Sequence, residues 1–115
     1  METIKFRIYN PERKKMIEGG ATPTMLSSFF ENTATLNTVH KMKYQQFTGL
    51  LDKHDKEIYE GDIVDATKKG FPKNIGQIIW ESMFAGFQVL DSENDRFDID
   101  DVEIVGNIYE NKNLL

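Results

Sequence analysis

The chain has no cysteine among its 115 residues, only two histidines, and no long apolar run. Each absence removes a class of function. Without cysteine there are no disulfides, no thiolate nucleophile and no sulfur-ligated zinc, which fits a cytoplasmic protein. His40 and His54 carry no H-x-H or H-E-x-x-H spacing, and two imidazoles are too few ligands for a transition-metal centre. A bilayer span needs about 20 consecutive apolar residues, whereas the runs here are as short as Ile78-Ile79-Trp80. The first residues alternate Ile4, Phe6 and Ile8 with polar ones, as a strand does, unlike the continuous apolar segment of a secretion signal. No Walker loop, dinucleotide fingerprint or nucleophile elbow is present, and Gly19-Gly20 is too isolated to stand for one. No cofactor, metal or membrane is expected.

What is there suits one globular domain, residues 1–115. Hydrophobic residues make up 39% and charged residues 29%, and eight Phe, four Tyr and one Trp supply bulk for one small core. The net charge of -5 repels a phosphate backbone at long range.

Residues 3–9 place Ile4, Phe6 and Ile8 on one face and Lys5, Arg7 and Tyr9 on the other, which predicts a half-buried strand. Asn10-Pro11-Glu12 turns the chain into a second strand over 14–17, ended by Gly19-Gly20. Residues 19–41 read as a long irregular connection. Ser28 and Glu31 are spaced for a capping box there. Strands follow at 41–47, broken by Thr48-Gly49, then 57–59, 63–66, 75–80, 86–90, a short one around Phe97 and Ile99, and 102–108. Asp52 to Lys56 and Asp91 to Arg96 are polar turns. Short strands at this spacing predict a mainly β fold, with N-terminal strands in 1–40 and a small SH3-like barrel over about 41–115. Gly76 and Gly86 would supply its bends.

Two segments carry a family resemblance. Tyr44 to Val64 reads Y-Q-Q-F-T-G-L-L-D-K-H-D-K-E-I-Y-E-G-D-I-V, and Val102 to Leu115 reads V-E-I-V-G-N-I-Y-E-N-K-N-L-L. Together with the opening I-K-F-R-I-Y-N and K-K-M-I, they resemble the YopX family. The resemblance implies a small phage- or prophage-encoded protein with an SH3-like barrel, a tendency to self-associate and no established catalytic activity. His54-Asp55 departs from the family pattern, which has Asn-Gly or something close to it, and puts the turn type in question, since a tight hairpin there needs positive φ.

Candidate chemistry is sparse. The acidic run from Asp91 fails as an EF-hand, because its sixth and twelfth positions are Arg96 and Val102. Glu57, Glu60 and Asp62 surround Tyr59 and could serve a small metal-dependent hydrolase. The simpler reading has Asp62 accept backbone N–H bonds at the Gly61 turn, with Tyr59 packing its ring and exposing its hydroxyl. Lys68, Lys69 and Lys73 flank Phe71 and could serve a nucleic-acid-associated barrel. Tyr59, Glu60, Tyr109, Asn111, Leu114 and Leu115 form the expected interaction surface, because an apolar chain end docks on its own barrel or on a neighbour. The leading expectation is a non-enzymatic accessory module that forms homo-oligomers and contacts phage or host proteins.

Overall fold

A computed structural model of the chain describes residues 4–21 and 42–115. The expected capping box at Ser28 and Glu31, and His40, lie outside those residues. Nine strands follow in order: β1 Phe6–Asn10, β2 Lys15–Ala21, β3 Lys43–Leu51, β4 Glu57–Tyr59, β5 Asp62–Asp65, β6 Ile75–Glu81, β7 Gly86–Asp91, β8 Arg96–Phe97 and β9 Glu103–Asn107. One turn of 3-10 helix, Lys112–Leu114, ends the chain.

The strands form two antiparallel sheets. One has the order β2-β1-β3-β4; the other, β8-β7-β6-β5-β9, curls into a half-barrel. This is the mainly β, barrel-like architecture that the strand spacing predicts. The core of the curled sheet is Ile58, Val64, Ala66, Ile78, Val89 and Val102, with Phe87, Phe97, Ile99 and Ile104 packed against it. Ile78 of β6 and Phe87 and Val89 of β7 join it from alternating positions, with Ile58 of β4 and Val64 of β5. Gly76 lies at a close approach to β7, since a Cβ there would meet Val89 Cγ1 at 2.6 Å and the Leu90 carbonyl oxygen at 2.7 Å. A Cβ on Gly86 would make only an ordinary contact, with the Phe84 carbonyl oxygen at 3.7 Å.

Two expected breaks are absent, and one expected strand is shorter. β2 runs through Gly19-Gly20 to Ala21. Between the pairs Ile8↔Ile17 and Phe6↔Ala21 its partner gains fewer residues than it does, so the glycines sit in an irregularity and not at an end. β3 likewise passes through Thr48-Gly49, and the register shifts between Phe47↔Tyr59 and Leu51↔Glu57. Gly49 takes φ +86, and the Thr48 hydroxyl donates to the Ile58 carbonyl at 2.8 Å, which holds the bulge against β4. Ile99 packs on the core from outside β8.

β1 is not half-buried in the expected sense. Ile8 is buried, and so are Arg7 and Tyr9 on the opposite face, whereas Ile4 is 57% exposed. Both faces of the strand are covered, because Arg7 and Tyr9 meet the second sheet and its closing segment. That contact organises the rest of the molecule.

Candidate functional site

The three carboxylates around Tyr59 do not converge on one point. Glu57 pairs with Lys5. Asp62, 1% exposed, accepts the Tyr59 backbone N–H at 2.8 Å through one oxygen and lies 2.6 Å from the Arg7 guanidinium through the other. The local role expected for Asp62 at the Gly61 turn is present. The ion pair is an addition that no local pattern announces. Arg7 also donates from Nε to Gln45 Oε1 at 2.5 Å and stacks its guanidinium 4.9 Å from the Tyr59 ring centre. A charge taken out of water needs this many partners to be tolerated. Gly61 makes the arrangement feasible: it takes φ +88, and a Cβ on it would overlap the Gln45 amide nitrogen. Tyr59 is only 6% exposed, with its hydroxyl 3.5 Å from Glu57, so the residue is withdrawn from the surface instead of presenting its hydroxyl. Burial first, and then the Glu57 charge, push its pKa up to about 12.

Glu60 differs from its neighbours. Among the described residues no cation lies within ion-pair distance of it, and burial raises its pKa. It lines a cleft of about 270 Å³ between the two sheets, with Tyr44, Gln77, Trp80, Ile108 and Tyr109.

The two acidic or polar turns prove to be the same device. Asp52 Oδ1 accepts the N–H groups of His54 and Lys56, and Asp91 Oδ1 accepts those of Glu93 and Asp95. In each loop the fourth residue, Asp55 or Asn94, takes a left-handed φ of 63° or 68°. The backbone closes identically, from Asp52 N–H to Lys56 C=O and from Asp91 N–H to Asp95 C=O. Asp55 thus does at β3–β4 what the glycine of the family pattern would do, which settles the turn as a three-residue loop with a left-handed last position. Asp52 goes further. It is 5% exposed, and its Oδ2 accepts the Ile104 N–H at 3.0 Å, which pins the hairpin tip to β9. Burial alone would raise its pKa, but the N–H groups of Ile104, Lys56 and His54 outweigh that and hold it below the ordinary carboxylate range. His54 stands beside Glu103 at 2.6 Å on the exposed side.

The closing segment is a backbone-shaping unit. Asn107 Oδ1 accepts the N–H groups of Tyr109 and Glu110, and Asn111 Oδ1 accepts that of Asn107. Asn111 rests on Gly106, where a Cβ would meet its side chain at 2.6 Å. Tyr109 stacks on Tyr9 of β1, ring centres 4.9 Å apart. Leu114 and Leu115 are 41% and 46% exposed. Of the expected interaction surface, then, Tyr59 is buried, Asn111 is structural, and Glu60, Tyr109 and the two leucines reach the surface.

Lys68, Phe71 and Lys73 do line one open cleft of about 400 Å³, but Asp91 and Glu93 line it too. Lys69 is exposed beside them, Lys68 donates to the Asp100 carbonyl, and Phe71 is 72% exposed.

A group of exposed apolar side chains on one hairpin has no counterpart in the sequence-based expectations. Met83 and Phe84, at the tip of the β6–β7 hairpin, are 86% and 66% exposed, and Trp80 beside them is 49% exposed and packs edge-on to Phe87. The signal was available: S-M-F-A occupies a hairpin turn, where polar residues and glycine are the rule.

The YopX protein family model matches residues 5–115. The chain belongs to the YopX family. Among solved structures, this YopX-family chain is similar to the crystal structure of protein EF1440 from Enterococcus faecalis, at 19% identity and a TM-score of 0.62, with 99% of each chain covered. At that identity the likeness is one of fold. The search of curated proteins found no match. Among the described residues no helix is long and apolar enough to cross a membrane.

Proposed function

We propose that this YopX-family protein is a non-enzymatic interaction module that associates with a second copy of itself through the tip of the β6–β7 hairpin. The observation that carries this reading is the exposure of Met83 and Phe84 on a turn, where nothing in the fold calls for apolar residues. Self-association removes these side chains from water, and the neighbouring Trp80 extends the contact. Leu114 and Leu115 provide a second exposed apolar site. The two family segments are occupied with turns, bulges and one buried ion pair, which supports a shape-making role for them over a reacting centre. The resemblance to phage-encoded proteins supports an accessory role toward phage or host proteins.

Sedimentation velocity tests the reading. The wild-type chain is expected to populate dimers at tens of micromolar, and the Met83→Ser/Phe84→Ser variant to sediment as a monomer. A Leu114→Ser/Leu115→Ser variant separates the two sites. A wild-type chain that is monomeric throughout overturns the proposal. The nucleic-acid reading at Lys68, Lys69, Phe71 and Lys73 is weaker, because Asp91 and Glu93 share its cleft. The hydrolase reading is weaker still, because Glu57 and Asp62 are engaged by Lys5 and Arg7.

A further inference from the structure

We infer that the cleft between the two sheets, lined by Tyr44, Glu60, Trp80 and Tyr109, receives an arginine side chain of a partner polypeptide. Three observations converge on this site. Its walls carry three aromatic rings, whose faces attract cations. Its acidic residue, Glu60, has no ion-pair partner among the described residues, although Lys5–Glu57 and Arg7–Asp62 show that neighbouring carboxylates in this fold are matched. The volume of about 270 Å³ admits one long side chain but falls below the span of ordinary small-molecule pockets.

Arginine fits better than lysine. A planar guanidinium can stack on a ring and fork its N–H donors to the Glu60 carboxylate at once, whereas an ammonium is a strongly hydrated point charge. Burial disfavours the Glu60 carboxylate when it stands alone; an incoming cation reverses that penalty, so the same burial that strains the free site strengthens the bound one. The net charge of -5 steers basic segments toward the protein at long range. Trp80 is shared with the proposed self-association contact, so the titration is repeated in the Met83→Ser/Phe84→Ser variant, where arginine binding is expected to persist. The cleft is tested below with a small soluble probe, so failure of one proposal leaves the other intact.

Trp80 is the single tryptophan of the chain and lines the cleft, so its fluorescence reports directly on occupancy. The probe is Nα-acetyl-arginine amide, with the uncharged citrulline counterpart and Nα-acetyl-lysine amide as comparisons. Saturable quenching by the arginine probe is expected, with weaker binding of the lysine probe and no saturable response to citrulline. Glu60→Gln is expected to weaken the arginine response by about tenfold, the scale of one desolvated charge contact. Amide shift mapping on the wild-type chain gives a readout free of any variant, with the shifts expected at Gly61, Trp80 and Tyr109. No response to the arginine probe, an equal response to citrulline, an unchanged response in Glu60→Gln, or shifts centred elsewhere would each overturn the assignment.

Discussion

The Arg7 guanidinium in β1 lies 2.6 Å from the Asp62 carboxylate at the start of β5, and both side chains are almost wholly removed from water. The pair joins the two sheets. Asp62 ties its other oxygen to the Tyr59 N–H, and Arg7 ties its Nε to Gln45, so neither charge is held by the other alone. Removing one partner strands the other. Arg7→Ala is expected to destabilise the fold by about 3–5 kcal/mol, the usual consequence of leaving a buried ion uncompensated. Urea denaturation followed by circular dichroism measures it, and a loss below about 1 kcal/mol would contradict a buried pair of this kind.

Part of the acid destabilisation should come from Asp52. Its folded-state pKa lies below the ordinary 3.8, because three backbone N–H groups favour the carboxylate form over the opposing effect of burial. A lowered folded pKa means stability that is present above the unfolded value and lost as pH falls through the folded one. Asp52→Asn is therefore expected to cost about 1–3 kcal/mol at neutral pH and to flatten the acid limb of the stability curve below about pH 4. Glu60 has the opposite sign. Its folded pKa is raised, so its contribution is present at low pH and lost as pH rises through that value. Glu60→Gln should raise the melting temperature at neutral pH, measured by calorimetry with no ligand present.

The tyrosines should separate on alkaline titration. Tyr59 ionises near 12, held up first by burial and then by the Glu57 charge. The raised value means that its share of stability is fully present below pH 10 and is lost as pH rises from there to about 12. Ultraviolet absorbance should show one of the four tyrosines lagging the rest, and that step should vanish in Tyr59→Phe. Glu57→Gln should move the step to lower pH, because it removes one charge that opposes the phenolate.

Gly61 and Gly86 make a matched comparison. Alanine at 61 meets both a left-handed φ of +88 and the Gln45 amide, and is expected to cost about 1–3 kcal/mol. Alanine at 86 makes only an ordinary contact at ordinary φ and should change stability by less than about 0.5 kcal/mol. Thermal melts of the two variants check the contrast, and equal effects would show that close packing around Gln45 is not what Gly61 supplies.

How much of this was legible depends on how local each cause is. β5, β6, β7 and β9 were readable because alternation and turn residues act within a few positions. The Asp62 bond to Tyr59 was readable for the same reason, since it spans three residues. Arg7, Gln45 and Asp52 were not. A period-two pattern assigns Arg7 to the wet face of β1, and only the arrival of Gln45 and Asp62 on that face makes it an interior residue. Asp52 looked like any polar turn residue until Ile104 was seen to donate to it from β9. Glycine was misread in β2 and β3, because the residue that ends a strand also permits a bulge within one. The pairing of Glu60 with Tyr109 and Trp80 in one cleft follows from how the sheets meet, which no short window contains.

The separation in sequence between Arg7 and its partners bears on how the chain is made. Arg7 meets Gln45 38 residues further along and Asp62 later still. During synthesis the first two strands emerge with that guanidinium still hydrated, and they have no inexpensive way to bury it until β5 has left the ribosome. Early compaction around the amino-terminal hairpin is thereby discouraged, and assembly is deferred until both sheets exist to share the charge.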